Sequence, residues 1–166
     1  MSKPNRISKI VNATAKLPAG LRTKLLSTAF GRVVPLVGTA GIRYDLVTPH
    51  KMICSIKNRR PVQNHINGVH AAAMALLAET ATGFVVGMNV PDDRIMLIKS
   101  LHVDYKRPSK GDMVAVATLT DAQRNLIITT DKGELLVDVV VTDESGQEPI
   151  QCQMLWAWLP KKKKDS

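Results

Sequence analysis

The chain has 166 residues, 45% of them hydrophobic and 22% charged, with a formal net charge of +9 at pH 7. This length favours a single domain, and the apolar content excludes an intrinsically disordered chain. Aromatic residues make up only 4% of the sequence, so the core has to be built from aliphatic side chains.

The positive charge is concentrated at the two ends of the chain. Residues 1–43 carry eight Lys and Arg and no acidic residue, and residues 161–164 are four lysines. Residues 44–160 hold eleven basic and thirteen acidic side chains. Nucleic-acid binding usually needs basic residues on one folded face together with stacking aromatics. We therefore expect no nucleic-acid partner, and a solvated basic tail at 161–166.

The N-terminal segment is predicted to be a basic helical extension, residues 1–35, that precedes the main domain, residues 36–160. Residues 1–15 look polar and poorly specified, whereas Leu17–Arg32 has leucines near helical spacing with Lys and Arg opposite. Three interpretations of this helix remain open. It packs on the domain through its leucines, lies on a membrane surface, or is a basic transit peptide.

The next part of the sequence predicts two strands followed by a long helix. Gly41–Thr48 and Lys51–Lys57 alternate apolar and polar side chains, which is the period of a half-buried strand. A polar loop over 58–67 leads to an apolar helix from Gly68 to about Met88. The Pro91-Asp92-Asp93 turn ends it.

Four β-rich runs follow the helix, separated by turn residues. Consecutive strands joined by short turns pair antiparallel, and we expect this of these runs. Ile127–Thr130 either extends the second run or starts the next. The runs are Ile95–Lys106, Met113–Leu119, Glu134–Thr142 and Ile150–Leu159.

The two cysteines predict neither a disulfide nor a metal site. Cys54 and Cys152 each lie in an alternating run, where a buried free thiol is expected. The sequence has no CxxC or Cys/His cluster that would suggest a metal. It also has no secretory hydrophobic region at its start, so we expect a reducing, cytoplasmic location.

The predicted central helix has almost no polar face, because Ala71–Pro91 contains one charged residue, Glu79. Such a helix must be covered on nearly all sides, and a sheet wrapped around it satisfies this requirement. A transmembrane span is the rival interpretation, but Glu79, Asn89 and the many alanines argue against it. We predict an α+β fold in which an antiparallel sheet wraps around a long central helix, without a transmembrane segment.

A lone carboxylate in a buried helix is costly unless it is paired or functional. Glu79 either forms a salt bridge to the sheet, lies on a less buried helix than predicted, or acts as a base or nucleophile. His70 lies nine residues earlier, half a turn around the helix, so the two side chains point to opposite sides. A shared pocket therefore needs a symmetric dimer with the helices side by side. The free N–H groups near Ala71 suit an oxyanion.

Two stretches carry a family resemblance, NGVHAAAMALLAET and SLHVDYKRPSKGD. Together and in this order they resemble the hotdog-fold acyl-CoA thioesterases, such as the phenylacetate-pathway-like enzymes, over roughly Leu36–Leu159. The longer stretch Val34–Glu79 looks more similar still to a hotdog subfamily of largely unassigned function. The resemblance implies the hotdog fold, a homodimer or dimer of dimers, an acyl-CoA substrate, and no metal or other cofactor.

The resemblance also assigns site residues by position. Glu79 matches the helix carboxylate that acts as general base or nucleophile, and His70 matches the histidine at the helix start. Asn64 matches the amide that positions water or the carbonyl group. Ala71 matches a glycine whose N–H lies in the oxyanion hole; alanine keeps the N–H, but its methyl group narrows the site. The basic residues that would meet the CoA phosphates are Lys106, Arg107 and Lys110.

Hydrolysis of an acyl-CoA thioester is the leading interpretation. Glu79 of one chain would activate water or attack directly, while the partner's Ala71 N–H would hold the carbonyl oxygen. Two alternatives remain open. His65 and Glu79 are fourteen residues apart, which resembles the hotdog dehydratases, and the Ala71 methyl group favours a non-catalytic acyl-binding protein. The acyl group is expected beside the helix, against Met74, Leu77 and Phe84.

Overall fold

The architecture is built from strands with alternating apolar and polar side chains and one apolar helix. The structure is a computed structural model that describes residues 4–162. The elements in chain order are helices α1 (Arg6–Ala13), α2 (Ala19–Val33) and α3 (Pro35–Ala40), strands β1 (Arg43–Val47) and β2 (Lys51–Ile56), helix α4 (Ala71–Gly87), strands β3 (Arg94–Tyr105) and β4 (Met113–Thr118), helix α5 (Asp121–Thr129), and strands β5 (Gly133–Asp143) and β6 (Ile150–Pro160).

The six strands form one antiparallel sheet in the order β1-β2-β4-β5-β6-β3. Because side chains alternate across a strand, one set faces the central helix: Met52, Cys54 and Ile56 of β2 are fully buried. The predicted α+β class is confirmed. The expectation that consecutive strands pair is wrong for β3 and β4. Strand β4 is hydrogen-bonded on both sides by β2 and β5, so β3 pairs with β6 at the sheet edge.

Helix α4 is covered as its composition requires, because every residue from Thr80 to Val90 is buried. Gly83 allows the sheet to approach closely. A Cβ at this position would lie 2.6 Å from the indole ring of Trp156, so no larger residue fits without displacing the ring. The indole Nε1 in turn donates a hydrogen bond to Thr82 Oγ1 at 2.9 Å. Trp156 therefore packs directly against the helix at this point.

The N-terminal segment differs from the prediction, because it contains three helices before β1 where one was expected. In one of the three interpretations of the sequence, helix α2 packs on the domain through its leucines. In the structure Leu26 and Phe30 are buried, whereas Leu21 and Leu25 remain exposed. The leucines therefore divide between two sides of the helix, and only one side contacts the domain.

Helix α1 forms in the polar N-terminal stretch because it caps the end of α4. Asn5 accepts a hydrogen bond from Ser8 N–H and so starts α1. The Asn5 amide donates to the carbonyls of Gly87 and Val90 at 2.7 and 2.6 Å, and Ser8 Oγ donates to Met88 O at 2.8 Å. These bonds satisfy carbonyl groups that the end of a helix leaves without partners. Local periodicity cannot reveal contacts between residues that lie eighty or more positions apart.

The run Ile127–Thr130 is predicted as a strand, but in the structure it forms the last residues of helix α5 and, at Thr130, its C-cap. Thr120 and Gln123 form a capping box, in which each side chain accepts a hydrogen bond from the other residue's backbone N–H. Ile127 is fully buried, so its apolar side chain anchors a helix to the domain. The apolar run therefore reflects burial and not strand pairing.

Two further sequence predictions have structural counterparts in the described residues. Cys54 and Cys152 are free thiols; Cys54 is buried and Cys152 is partly exposed. Among residues 4–162, no helix combines the length and hydropathy that crossing a bilayer requires. Most of the predicted basic tail lies outside the described residues.

Candidate active site

Glu79 lies in the wall of an apolar cavity of about 230 Å³ on one side of α4. The cavity is bounded by α1, α2, α3, β1, β3 and β6. Of the three residues predicted to line an acyl site, only Phe84 does so, whereas Met74 and Leu77 are buried in the core. The aromatic side chains of the lining are Phe30, Tyr44, Phe84 and Trp156.

Among residues 4–162, the Glu79 carboxylate has no counter-charge. Within residues 4–162 no Lys or Arg nitrogen lies within 4.0 Å of it, so the salt bridge considered from the sequence does not form among these residues. Burial raises the pKa of Glu79 above its ordinary value of 4.5, because removing water disfavours the charged form. This carboxylate is therefore a stronger base than an exposed one.

Tyr44 and Thr80 complete the polar part of this wall, and the sequence patterns did not mark either as functional. Burial, followed by the neighbouring Cys54 and Glu79, raises the pKa of the Tyr44 phenol, which stays protonated. The Thr80 hydroxyl is buried and has no hydrogen-bond partner among the described residues. The inward alternation of β1 is the signal that places Tyr44 in the interior.

The aromatic residues of the cavity form one cluster. The ring centroids of Phe30 and Phe84 are 4.6 Å apart, those of Tyr44 and Phe84 4.9 Å, and those of Phe30 and Tyr44 5.5 Å. The edge-to-face arrangement of two of these pairs is the favourable one. Helix α2, strand β1 and helix α4 each contribute one ring, so the cavity floor depends on the N-terminal extension.

His70 lies at a second cavity, of about 300 Å³, which shares no lining residue with the first. Its Nδ1 atom accepts a hydrogen bond from Ala72 N–H at 3.0 Å, so the imidazole caps α4. The separation agrees with the half-turn between His70 and Glu79 that the spacing predicts. Within one chain, the histidine and the carboxylate do not share a pocket.

The first amide of α4, the Ala71 N–H, has no acceptor within residues 4–162. The amides of Ala72, Ala73 and Met74 all bond back to His70. Ala71 lies eight residues before Glu79, which is about 12 Å along the helix axis. The Ala71 carbonyl accepts a hydrogen bond from the Tyr105 hydroxyl at 2.9 Å, so the end of β3 adjoins the helix start.

Asn64 shapes the turn that precedes α4. Its Oδ1 atom accepts hydrogen bonds from the N–H groups of Ile66 and Gly68 at 3.0 and 3.1 Å. Asn67 has a φ of 62°, a left-handed conformation that Asn tolerates better than most residues. The Nδ2 group of Asn64 donates to no acceptor in the described part of the chain. The amide donor that the resemblance assigns is therefore available.

The three basic residues predicted to contact CoA lie on the connection between β3 and β4. Arg107 Nη2 donates to the buried carboxylate of Asp143 at 2.8 Å, so its charge is already paired. Lys106 and Lys110 are exposed, and Lys106 lies 3.7 Å from the exposed Asp104. Because this connection follows Tyr105 directly, both lysines are near the start of α4.

Asp143 is the best-satisfied carboxylate described. It accepts hydrogen bonds from Arg107, from Lys110 N–H at 2.7 Å, and from Ser145 N–H and Oγ at 2.9 and 2.6 Å. Burial alone would raise its pKa, but these donors outweigh burial and lower the pKa to about 2. This cluster joins the β3–β4 connection to the turn between β5 and β6.

Metal ligands do not assemble near these residues. In the part of the chain that the structure describes, no group of three or more His, Cys, Asp or Glu side chains could hold a metal ion.

Comparison with known protein families assigns this sequence to a family. Residues 22–159 match the model of a family described as a domain of unknown function, DUF4442. The chain belongs to the DUF4442 family. No curated protein matches the sequence of this DUF4442 chain.

Three solved structures with the same architecture are distantly similar to this chain in sequence. A Pseudomonas aeruginosa protein, described as of unknown function and a probable thioesterase, is 22% identical with a TM-score of 0.75, covering 84% of this chain and 96% of that one. A Haemophilus influenzae thioesterase is 12% identical with a TM-score of 0.61, covering 79% and 87%. A Staphylococcus aureus thioesterase is 17% identical with a TM-score of 0.63, covering 76% and 99%. The DUF4442 chain has the hotdog fold of these thioesterase-family proteins.

Proposed function

We propose that this protein hydrolyses the thioester bond of an acyl-CoA. The observation that carries the proposal is the Glu79 carboxylate, which has a raised pKa, no counter-charge among the described residues, and an apolar cavity beside it. A base is most effective when its pKa lies near the working pH, and burial shifts Glu79 in that direction. The apolar, aromatic lining suits an acyl group. That several structural neighbours are described as thioesterases supports this chemistry.

The spacing of two residues gives further support. The Staphylococcus aureus thioesterase was solved with a glutamine-to-alanine substitution and, separately, with a glutamate-to-alanine substitution fifteen positions later. Asn64 and Glu79 are also fifteen residues apart. Both chains thus have an amide and a carboxylate at the same separation, and the amide donor of Asn64, which has no acceptor among the described residues, is available to bind a substrate or water.

The reaction we propose needs groups from two chains. Glu79 removes a proton from water, the resulting hydroxide attacks the carbonyl carbon, and the partner's Ala71 N–H holds the oxygen that becomes negative. The C–S bond then breaks, and the proton on Glu79 returns to the departing sulfur, giving a carboxylic acid and the CoA thiol. Asn64 positions the water or the carbonyl. His70 fixes the helix start, and Lys106 and Lys110 contact the phosphates.

A second copy of the chain has a free edge to bind. Strand β3 ends the sheet, is twelve residues long, and leaves Leu97 and Leu101 about half exposed. Leu101 is opposite Met154, which is buried against the helix, so Leu101 faces the helix side without being covered. A long apolar edge strand normally pairs or is shielded. Antiparallel pairing of two β3 strands would set two α4 helices side by side.

The proposal is tested by incubating the purified protein with acyl-CoAs of increasing chain length and with an aromatic acyl-CoA, while released thiol is measured. We expect thiol release with at least one of these compounds. Saturable acyl-CoA binding without thiol release would instead support a non-catalytic acyl-binding protein. Absorbance of a new enoyl double bond from a hydroxyacyl-CoA would support a dehydratase, although His65 is exposed and lines neither cavity.

The dimer is tested by Leu101→Lys, which places a charge on the free edge of β3. We expect a shift from dimer to monomer in light scattering after gel filtration, with thiol release lost and the circular dichroism spectrum retained. Leu136→Lys is the matched control, because Leu136 is 49% exposed but lies on β5 opposite Leu155, in an interior strand of the sheet away from the edge of β3. A Leu101→Lys variant that stays dimeric would contradict pairing through β3.

A further inference from the structure

The outer side of α2 is apolar where a helix packed on a domain is normally polar. Leu21 and Leu25 are four residues apart and so lie on one side of the helix, and Val33 is exposed at its C-terminal end. They are 46%, 44% and 73% exposed. The opposite side of α2 already supplies the buried contacts, through Leu26 and Phe30. The buried contacts of α2 within residues 4–162 are therefore made without Leu21 and Leu25.

Positive charge accompanies these side chains. Lys24 and Arg32 lie on the same exposed side, and neither forms an ion pair or a side-chain hydrogen bond within residues 4–162. Residues 1–43 contain no acid that could neutralise them. The apolar surface continues through Val34 and Leu36, which are 45% and 64% exposed. We call Leu21, Lys24, Leu25, Arg32 and Val33 the basic apolar face.

We propose that the basic apolar face docks this protein onto an anionic lipid surface. Leucine and valine side chains at such a surface insert below the headgroups, while Lys and Arg extend their apolar stems and bring their charges to the lipid phosphates. The apolar side chains of the face thus match the acyl region of a membrane interface, and its basic side chains match the headgroup region. Docking requires no hydrolytic activity, so this inference stands apart from the proposed reaction.

Other occupants fit the face less well. Phe30 is the sole aromatic residue of residues 1–43 and is buried, so nucleic-acid bases would find no exposed ring on which to stack. A second copy placed face to face would bring Lys24 and Arg32 against the same cations of its partner. An anionic, partly apolar surface satisfies both the charge and the exposed aliphatic side chains.

The position of the face links docking to the first cavity. Val33 and Val34 are exposed and also line the cavity that contains Glu79. A docked protein would therefore hold this cavity beside the lipid surface, where long acyl chains partition. An acyl group could then reach the cavity along apolar side chains.

Flotation with vesicles tests the inference. The full chain is mixed with vesicles of phosphatidylcholine alone, or of phosphatidylcholine and phosphatidylglycerol in equal amounts. We expect binding to the mixed vesicles that weakens as salt rises, and little binding to phosphatidylcholine. We expect Lys24→Glu with Arg32→Glu, and separately Leu21→Ser with Leu25→Ser, each to lower the partition coefficient about tenfold or more.

The matched control reverses two charges on another surface. Lys51 and Lys132 are exposed and lie outside α2, so Lys51→Glu with Lys132→Glu changes the net charge equally and should keep most of the binding. Absence of binding by the unaltered protein would overturn the inference, as would an equal loss in the control. Two other outcomes would also overturn it. One is that Leu21→Ser with Leu25→Ser dissociates an oligomer of this protein, and the other is that the basic apolar face binds mixed-sequence DNA and not vesicles. Thermal unfolding confirms that each variant is folded.

Discussion

Glu79→Gln is expected to lower kcat for thioester hydrolysis by about 10²–10⁴-fold, because the amide cannot take a proton from water. The same substitution should raise the melting temperature at neutral pH. The folded-state pKa of Glu79 lies above 4.5, so the folded protein loses stability as pH rises from 4.5 through that pKa and the partly buried side chain becomes charged. Glutamine stays neutral and removes this loss. Activity and stability therefore change in opposite directions.

The measurements are thiol release and thermal unfolding, each followed across pH. In the unaltered protein, the acid limb of kcat/KM should lie above pH 4.5, where Glu79 loses its proton. Glu148→Gln is the matched control, because Glu148 is exposed and forms no ion pair within the described residues. A Glu79→Gln variant with the rate of the unaltered protein would exclude the carboxylate as the base.

Asp143→Asn is expected to destabilise the protein by about 3 kcal/mol, because it leaves the partly buried Arg107 guanidinium without its counter-charge. The effect should depend on pH. The folded-state pKa of Asp143, about 2, lies below its ordinary value of 3.8, so its contribution is present above pH 3.8 and is lost as pH falls towards 2. The variant and the unaltered protein should therefore converge in stability at low pH.

Urea unfolding at a series of pH values measures this difference. Asp138→Asn serves as the control, since Asp138 is an exposed residue of the same strand without an ion pair among the described residues. Equal unfolding midpoints for Asp143→Asn and the unaltered protein at pH 7 would show that the buried pair does not hold the β5–β6 turn.

The sheet could be predicted from the sequence because alternation and turn residues are local signals. In β2, every second side chain is apolar and fully buried, and the turn residues that follow mark its end. Helix α5 was missed although the capping box of Thr120 and Gln123 is a local signal as well. The β-branched residues Ile127 and Ile128 favour a strand by propensity, but the burial of Ile127 explains an apolar residue in a helix equally well.

The candidate site was predictable only as far as single residues stand out. One carboxylate in an apolar helix marks Glu79, and helical spacing separates it from His70. The surroundings that raise its pKa are assembled from Phe30 and Tyr44, which lie on elements distant in sequence. The alternation of β1 marks Tyr44 as an interior residue, but no local pattern relates Phe30 or Tyr44 to Glu79, so only the fold brings these rings to the carboxylate.

The hydrogen bonds from Asn5 and Ser8 to the end of α4 concern how much of the N-terminal segment the folded domain needs. The region that matches the family starts at residue 22, so a chain shortened to that region lacks both donors. The carbonyls of Gly87, Met88 and Val90 would then have to accept hydrogen bonds from water, although this end of the helix is otherwise buried. Similarity among sequences thus marks a shorter stretch than the one that holds the central helix in place.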